Sequence, residues 1–150
     1  MFNKTDVEGY LTDIVTDRSR VDFLIFSNES DKILGEVVIS DILRNNRNAG
    51  MRIAINRKDD FGQGYGSEAM ILALHYGFGM LNLHRIELEV LAFNERAIHV
   101  YEKLGFKREG VRRDGYFYNH QYYDAVTMSM LEDEFRAKYF SEEDLLKVFL

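Results

Sequence analysis

Two stretches of this chain carry residue types whose spacing suits chemistry on a phosphate-bearing ligand. The first is Phe61-Gly62-Gln63-Gly64-Tyr65-Gly66-Ser67-Glu68-Ala69, with glycines at alternate positions before a helical run. Glycine lets backbone N–H groups approach phosphate oxygens closely, and the first N–H groups of a helix have no intrahelical partner. The helix dipole adds partial positive charge at the same place. The second is Asn94-Glu95-Arg96-Ala97-Ile98-His99-Val100-Tyr101-Glu102-Lys103-Leu104-Gly105-Phe106, which sets Asn94, Ala97 and Tyr101 on one helical face. That face offers an amide and a phenol. Together the stretches point to a pyrophosphate-bearing cofactor with a proton donor beside it.

Each stretch has a plainer reading. Gly-rich turns before helices are common punctuation, and a tyrosine on such a face is often a core residue. Asn94 also suits the N-cap of a helix beginning at Glu95. A Rossmann site does not fit, because the glycine spacing differs and only one strand–helix–strand unit follows. A P-loop does not fit either, since no Gly-Lys-Ser/Thr follows. Glu87 and Glu89 form a third candidate, on one face of an alternating run whose other face is Ile86, Leu88 and Val90. They read as a solvated face or as a general base.

These groups need a frame, and the pattern supplies one. Arg20 to Ser27 and Ile33 to Ile42 read as a hairpin, and Ala49 to Asn56 as a third strand. In that strand Ala49, Met51, Ile53 and Ile55 point one way. Ser67 to Leu81 is a helix with apolar positions Ala69, Leu72, Ala73, Tyr76 and Met80, widened by Met70, Leu74 and Phe78, and stopped near Asn82. Such girth predicts a helix packed on a sheet. Arg85 to Ala92 is a strand, and Glu95 to Leu104 a helix closed by Gly105. Lys107 to Tyr118 and Tyr122 to Leu131 form a long hairpin turning at Asn119-His120-Gln121. Glu132 to Leu150 reads as an amphipathic helix or a frayed tail.

Composition narrows the class. A length of 150 residues and a hydrophobic fraction of 46% fit one folded domain over residues 1–150. The lack of cysteine removes disulfides, thiolate nucleophiles and Cys-based zinc sites. The four histidines show no metal-ligand spacing, so no metal is expected. Nothing near Met1 reads as a signal peptide and no segment reads as a membrane span, which makes the cytoplasm the default. The formal charge of −6 argues against nucleic acid as partner. It suits a cationic substrate such as an amine, and equally an acidic surface that serves solubility.

The two motifs in this order, with a strand between them, resemble the GNAT superfamily of acetyl-CoA-dependent N-acetyltransferases. Asn94-x-x-Ala97-x-x-x-Tyr101-x-x-x-Gly105-Phe106 downstream of Gly64-Tyr65-Gly66 carries the resemblance, which runs from about Val21 to Leu131. Within it the chain is similar to the branch of ribosomal-protein N-terminal and spermidine acetyltransferases. The resemblance implies an α+β fold with a mixed, mostly antiparallel central sheet flanked by helices. It implies acetyl-CoA as co-substrate and a pyrophosphate loop at Phe61, Gly62, Gln63, Gly64, Tyr65 and Gly66, with Ser67 following. Phe61 stands where the family has Gln or Arg, which puts one polar contact in doubt and leaves the backbone contacts.

Further roles follow from the same resemblance. Arg52 to Ile55, including Ile53 and Ala54, would pair its backbone with the pantetheine arm, and Asn94 would hydrogen-bond that arm. Tyr101 would protonate the departing CoA thiolate. Lys103 and Arg96 are candidates for the adenosine phosphate, or plain exposed helix charges. Glu89 matches a glutamate that accepts the amine proton through water, with Glu87 as its rival. Lys107-Arg108 and Arg112-Arg113 read as anion contacts or as surface charge.

The implied reaction is acetyl transfer to a primary amine, a protein N-terminus or a polyamine, by direct attack in a ternary complex. An amine with a pKa of about 10.4 is only ~1 part in 10³ neutral at neutral pH, a handicap of about 4 kcal/mol. A base recovers part of it and proximity recovers more. No covalent intermediate is needed, so the missing cysteine is no obstacle. Family members usually carry a strand and a helix ahead of anything like Val7 to Ile25, and here about twenty residues precede the first strand. A late start, an open acceptor site or a partner chain such as a second copy would each account for that. The alternative from another class is a silent acyl-CoA-binding or sensing module.

Overall fold

A computed structural model of the chain describes residues 17–29, 31–57, 62 and 64–140. Strands β1 (Val21–Phe26), β2 (Ile33–Leu43), β3 (Asn48–Ile55), β4 (Arg85–Leu91), β5 (Lys107–Tyr118) and β6 (Gln121–Leu131) form one six-stranded sheet in the order β1-β2-β3-β4-β6-β5. Every neighbouring pair is antiparallel except β3 with β4. Among the described residues the helices are α1 (Tyr65–Gly79), α2 (Glu95–Leu104) and α3 (Glu132–Tyr139). This is the mixed, mostly antiparallel α+β sheet that the resemblance implies. The expectation about what precedes β1 falls on residues 1–16, and the tail from 141 to 150 likewise lies outside the described residues.

Alternation fixes which face of the sheet is dry. Val37 and Ile39 of β2, Ala49 and Met51 of β3, Ile86, Leu88 and Val90 of β4, and Val126, Met128 and Met130 of β6 are all buried. Their registers align them on one face, as in the row Ala49, Ile86 and Met130. Each buried Val, Ile, Leu or Met among them contributes roughly 1.5–3 kcal/mol. Helix α1 lies on that face.

The buried stripe of α1 corrects the sequence reading. Met70, Ala73, Leu74, Gly77 and Phe78 are buried, while Leu72 and Met80 are 65% and 72% exposed. The true stripe repeats at i, i+3, i+4, i+7 and i+8 and passes through Gly77, which carries no hydropathy signal. Gly77 is where helix and sheet come closest: a methyl group there would lie 2.8 Å from Ile86 Cδ1. The helix also begins at Tyr65 rather than Ser67, because Gly64 takes a left-handed φ of 84° and turns the chain early. It ends at Gly79, and Asn82, expected as the stop, instead sits beyond the end with φ 57°.

Helix α2 obeys its sequence signals. Asn94 Oδ1 accepts from the Ala97 N–H at 3.2 Å, and Gly105 closes the helix at φ 116° with its N–H donating to the Tyr101 and Glu102 carbonyls. The β5–β6 turn is shorter than read. Only Asn119 and His120 lie outside the strands, both at positive φ, and Gln121 already belongs to β6.

Candidate active site

The site begins with a divergence in the sheet. Strands β3 and β4 pair only at Asn48–Arg85, Ala49–Ile86 and Gly50–Glu87. Beyond that rung β3 continues to Ile55 alongside β2, and β4 continues to Leu91 alongside β6. Their facing backbone edges are left unpaired with each other over Met51–Ile55 and Leu88–Leu91. A slot is left between them.

On the helix side of the slot lies a cavity of about 370 Å³. Ile53 and Ile55 of β3 form one wall, and Gly62, Gly64, Tyr65, Gly66, Ser67 and Met70 come from the glycine turn and α1. Asn94, Arg96, Ala97, Val100 and Tyr101 come from α2. Both motifs singled out from the sequence therefore meet on one cavity. Phe61 and Gln63 lie outside the described residues. Ala54 points away from the cavity and is exposed, as alternation requires, so only its backbone faces the slot.

The floor of the cavity is a donor array. Helix α1 has no side-chain cap, and its first intrahelical bond runs from the Glu68 N–H to the Gly64 carbonyl at 3.0 Å. The N–H groups of Tyr65, Gly66 and Ser67 precede that bond and have no intrahelical acceptor. Arg96 adds a cation at the mouth, its Nη2 lying 3.3 Å from where a methyl group on Gly62 would stand. Lys103 does not line the cavity; it is exposed on α2, and Lys138 Nζ donates to its carbonyl. Of the two cations weighed from the sequence, Arg96 is the one at the cavity.

Two polar side chains of α2 and its cap line this space. Asn94 spends Oδ1 on the helix cap, which leaves its Nδ2 free to donate. Tyr101 is half-buried against Phe106, with ring centroids 6.2 Å apart. Burial pushes the phenol above its usual range, and among the described residues its hydroxyl has no hydrogen-bond partner. A phenol held neutral in this way is a proton donor.

The carboxylates stand on the opposite face of the sheet, away from α1. Glu87 sits on the last paired rung and Glu89 two residues further, on the splayed stretch. Both are exposed, in keeping with the solvated face that the alternation allows. Arg85 Nη2 holds Glu87 at 2.6 Å. Glu89 is held by two β5 residues that the sequence reading did not connect with it: Arg112 Nη1 at 2.6 Å and the Tyr116 hydroxyl at 3.1 Å. The basic residues of β5 resolve largely into ion pairs, Lys107 with Glu134, Arg108 with Glu102 and Arg112 with Glu89. Among the described residues no group of three or more His, Cys, Asp or Glu could hold a metal ion.

A larger hollow of about 520 Å³ lies between β1 and α1. Its walls are mostly apolar, and Tyr65 is the one residue it shares with the smaller cavity. Size alone does not mark the site; the donor array and the phenol do.

Comparison with known proteins follows the same lines. Residues 2–107 match the acetyltransferase (GNAT) domain. The spermidine N(1)-acetyltransferase of Escherichia coli (strain K12) is 37% identical over 105 residues, which cover 70% of this chain and 56% of that protein. The chain thus spans little more than half the length of that relative. The Vibrio cholerae spermidine N-acetyltransferase solved in complex with CoA and spermine superposes with a TM-score of 0.81 at 28% identity, covering 90% of this chain and 79% of that one. A dodecameric structure of the Vibrio enzyme in an intermediate state gives 0.81 at 29%, covering 92% and 78%.

Proposed function

This chain belongs to the GNAT acetyltransferase domain family, and from that premise we propose that it moves the acetyl group of acetyl-CoA onto a primary amine, with a polyamine as acceptor. One observation carries the reading: the glycine turn and the Asn94–Tyr101 face converge on a single cavity beside the slot between β3 and β4. The residues present suit the cofactor. The free N–H groups of Tyr65, Gly66 and Ser67 and the Arg96 guanidinium answer a pyrophosphate. The walls of Ile53, Ile55, Met70 and Val100 answer an aliphatic arm. Asn94 Nδ2 and the unpaired edge of β3 answer its amides.

Acetyl-CoA, when bound, supplies the activated acyl group; the chain does the rest. Backbone N–H groups on the splayed edges are placed to polarise a carbonyl lying in the slot. Glu89, on the slot's far rim, accepts the proton of an approaching ammonium, directly or through water. Tyr101, on the near side, donates one to a departing thiolate. The slot lets donor and acceptor approach from opposite faces, so attack is direct.

We take residues 1–150 to act as one domain, in the cytoplasm, and to self-associate, as the dodecameric Vibrio relative does. Among the described residues no helix is long and apolar enough to cross a membrane.

The test is CoA release from acetyl-CoA against spermidine, spermine, lysine, aminoglycosides and peptides with Ala or Ser at their N-termini. Release with the polyamines is the expected result. Release with the peptides alone would move the acceptor to a protein N-terminus. No release with any amine, with CoA binding intact by calorimetry, would replace the enzyme with a binding module.

A further inference from the structure

The carboxylates Glu36, Glu87 and Glu89, on the face of the sheet away from α1, are paired with arginines, and the pairings differ in a way that bears on the acceptor. Glu36 is held by Arg52 at 3.2 Å, Glu87 by Arg85 at 2.6 Å and Glu89 by Arg112 at 2.6 Å. Arg85 is locked. Its guanidinium also binds both oxygens of Glu109, at 2.5 and 2.9 Å, and its side chain is only 22% exposed. Arg112 holds Glu89 through one Nη1 contact, and its side chain is 60% exposed.

The route Arg112 takes is built into the hairpin. It starts on β5, opposite Ala125 of the intervening strand β6, and reaches Glu89 on β4, which is opposite Thr127 of β6. The register then slips: Arg112 pairs with Ala125 and Tyr116 with Tyr123, so four residues of β5 span two of β6. The Asp114 N–H donating to Asp124 Oδ1 at 2.9 Å anchors that bulge. The slip draws Tyr116 back toward the carboxylate that Arg112 holds. Glu89 thus has one oxygen under a guanidinium and the other under a neutral hydroxyl.

We propose that Arg112 is an exchangeable counter-cation on Glu89, which the ammonium of the acceptor displaces as it reaches the slot. The inference rests on the acetyl-transfer reading and deepens it, because it names a residue that sets which acceptors bind. An ion pair made by one contact from an exposed guanidinium is weak and screened by salt, so an arriving cation exchanges with it. A guanidinium shared among three carboxylate contacts does not yield. Arg85 therefore stays on Glu87 and Glu109, and Arg112 is the guanidinium that an arriving cation displaces. A polycation with a second ammonium competes better than a monoamine. Tyr116 remains on the other oxygen and keeps the carboxylate oriented through the exchange.

The experiment compares wild type, Arg112→Gln and Arg112→Lys for CoA release with spermidine and with a monoamine peptide, at low and at moderate salt. With R112Q the KM for spermidine is expected to fall about two- to fivefold at low salt, with kcat unchanged within about twofold. The peptide KM moves less, and R112K stays near wild type. By calorimetry, adding R112Q to an E89Q background is expected to give no gain in spermidine affinity. A spermidine KM that is unchanged or higher in R112Q, with the wild type turning over, overturns the proposal. If the wild type releases no CoA with any amine, the acetyl-transfer reading falls by itself. Calorimetry of spermidine with the two proteins then reads the exchange directly: tighter binding by R112Q supports it, and equal or weaker binding overturns it.

Discussion

In the proposed reaction the phenol of Tyr101 is the proton donor. It is half-buried, raised above the usual phenol range by desolvation, and hydrogen-bonded to no described residue. Its proton is therefore held at neutral pH and is available for transfer. Tyr101→Phe removes the proton and keeps the ring against Phe106. The expected outcome is a loss of about 10²–10⁴ in kcat with CoA affinity intact; turnover left unchanged would strip Tyr101 of the role. The sequence spacing was enough to place Tyr101 and Asn94 on one helical face, which is fixed by the 3.6-residue repeat alone, while their roles came from the resemblance. It was not enough to choose between Lys103 and Arg96. Both are long cations on α2, and only the packing of that helix on the glycine turn decides which one reaches the cavity. Arg112 and Tyr116 were out of reach for another reason: their contact with Glu89 crosses an intervening strand and depends on a register slip.

At the scale of elements, the site depends on how β2 holds the end of β3. Gly35 pairs with Ile55, at the end of the strand whose Ile53 and Ile55 wall the cavity. A methyl group on Gly35 would lie 2.0 Å from the Ala54 carbonyl oxygen, a backbone atom that cannot rotate away. Gly35→Ala is therefore expected to cost about 1–3 kcal/mol of stability and to push β3 out of place, weakening CoA binding as well. Gly79→Ala is the control. Nothing lies within 4 Å of that added methyl, at the last residue of α1, and alanine favours helix by about 1 kcal/mol. Melting curves and CoA titrations separate the two variants. If G35A melts and binds as wild type does, the coupling of β2 to the cavity is wrong. Strand and helix identities were legible from alternation and capping, and boundaries moved by a residue or two. The buried face of α1 was misread because its closest approach to the sheet is made by Gly77, which hydropathy does not count.

Across the whole molecule the charges are arranged by end. Where β3 and β4 are paired, the sheet is stapled. Glu132 receives Arg136 at 2.8 Å, His84 at 2.9 Å and Arg47 at 3.3 Å, joining α3 to the starts of β3 and β4. Glu109 receives Arg85 and Ser129, and Glu134 pairs with Lys107. The Arg136 and His84 hydrogen bonds hold Glu132 down to about 2. The Ser129 hydroxyl lowers Glu109, and Lys107 lowers Glu134. Each of the three is depressed in the folded state, so its stabilisation is complete above the ordinary carboxylate range and is lost as pH falls through the folded value. For Glu132 that window runs from about 4.5 down to about 2. A closed end held by ion pairs leaves the opposite end free to splay, which is what a slot for two substrates requires. The wild-type melting temperature is then expected to drop as the pH is lowered through this window. The triple variant E109Q/E132Q/E134Q is expected to melt lower at neutral pH and to lose less on acidification, the two curves converging near pH 2. Parallel curves for the two proteins would show that the staple contributes nothing to folding and that the closed end is held by its apolar rows alone.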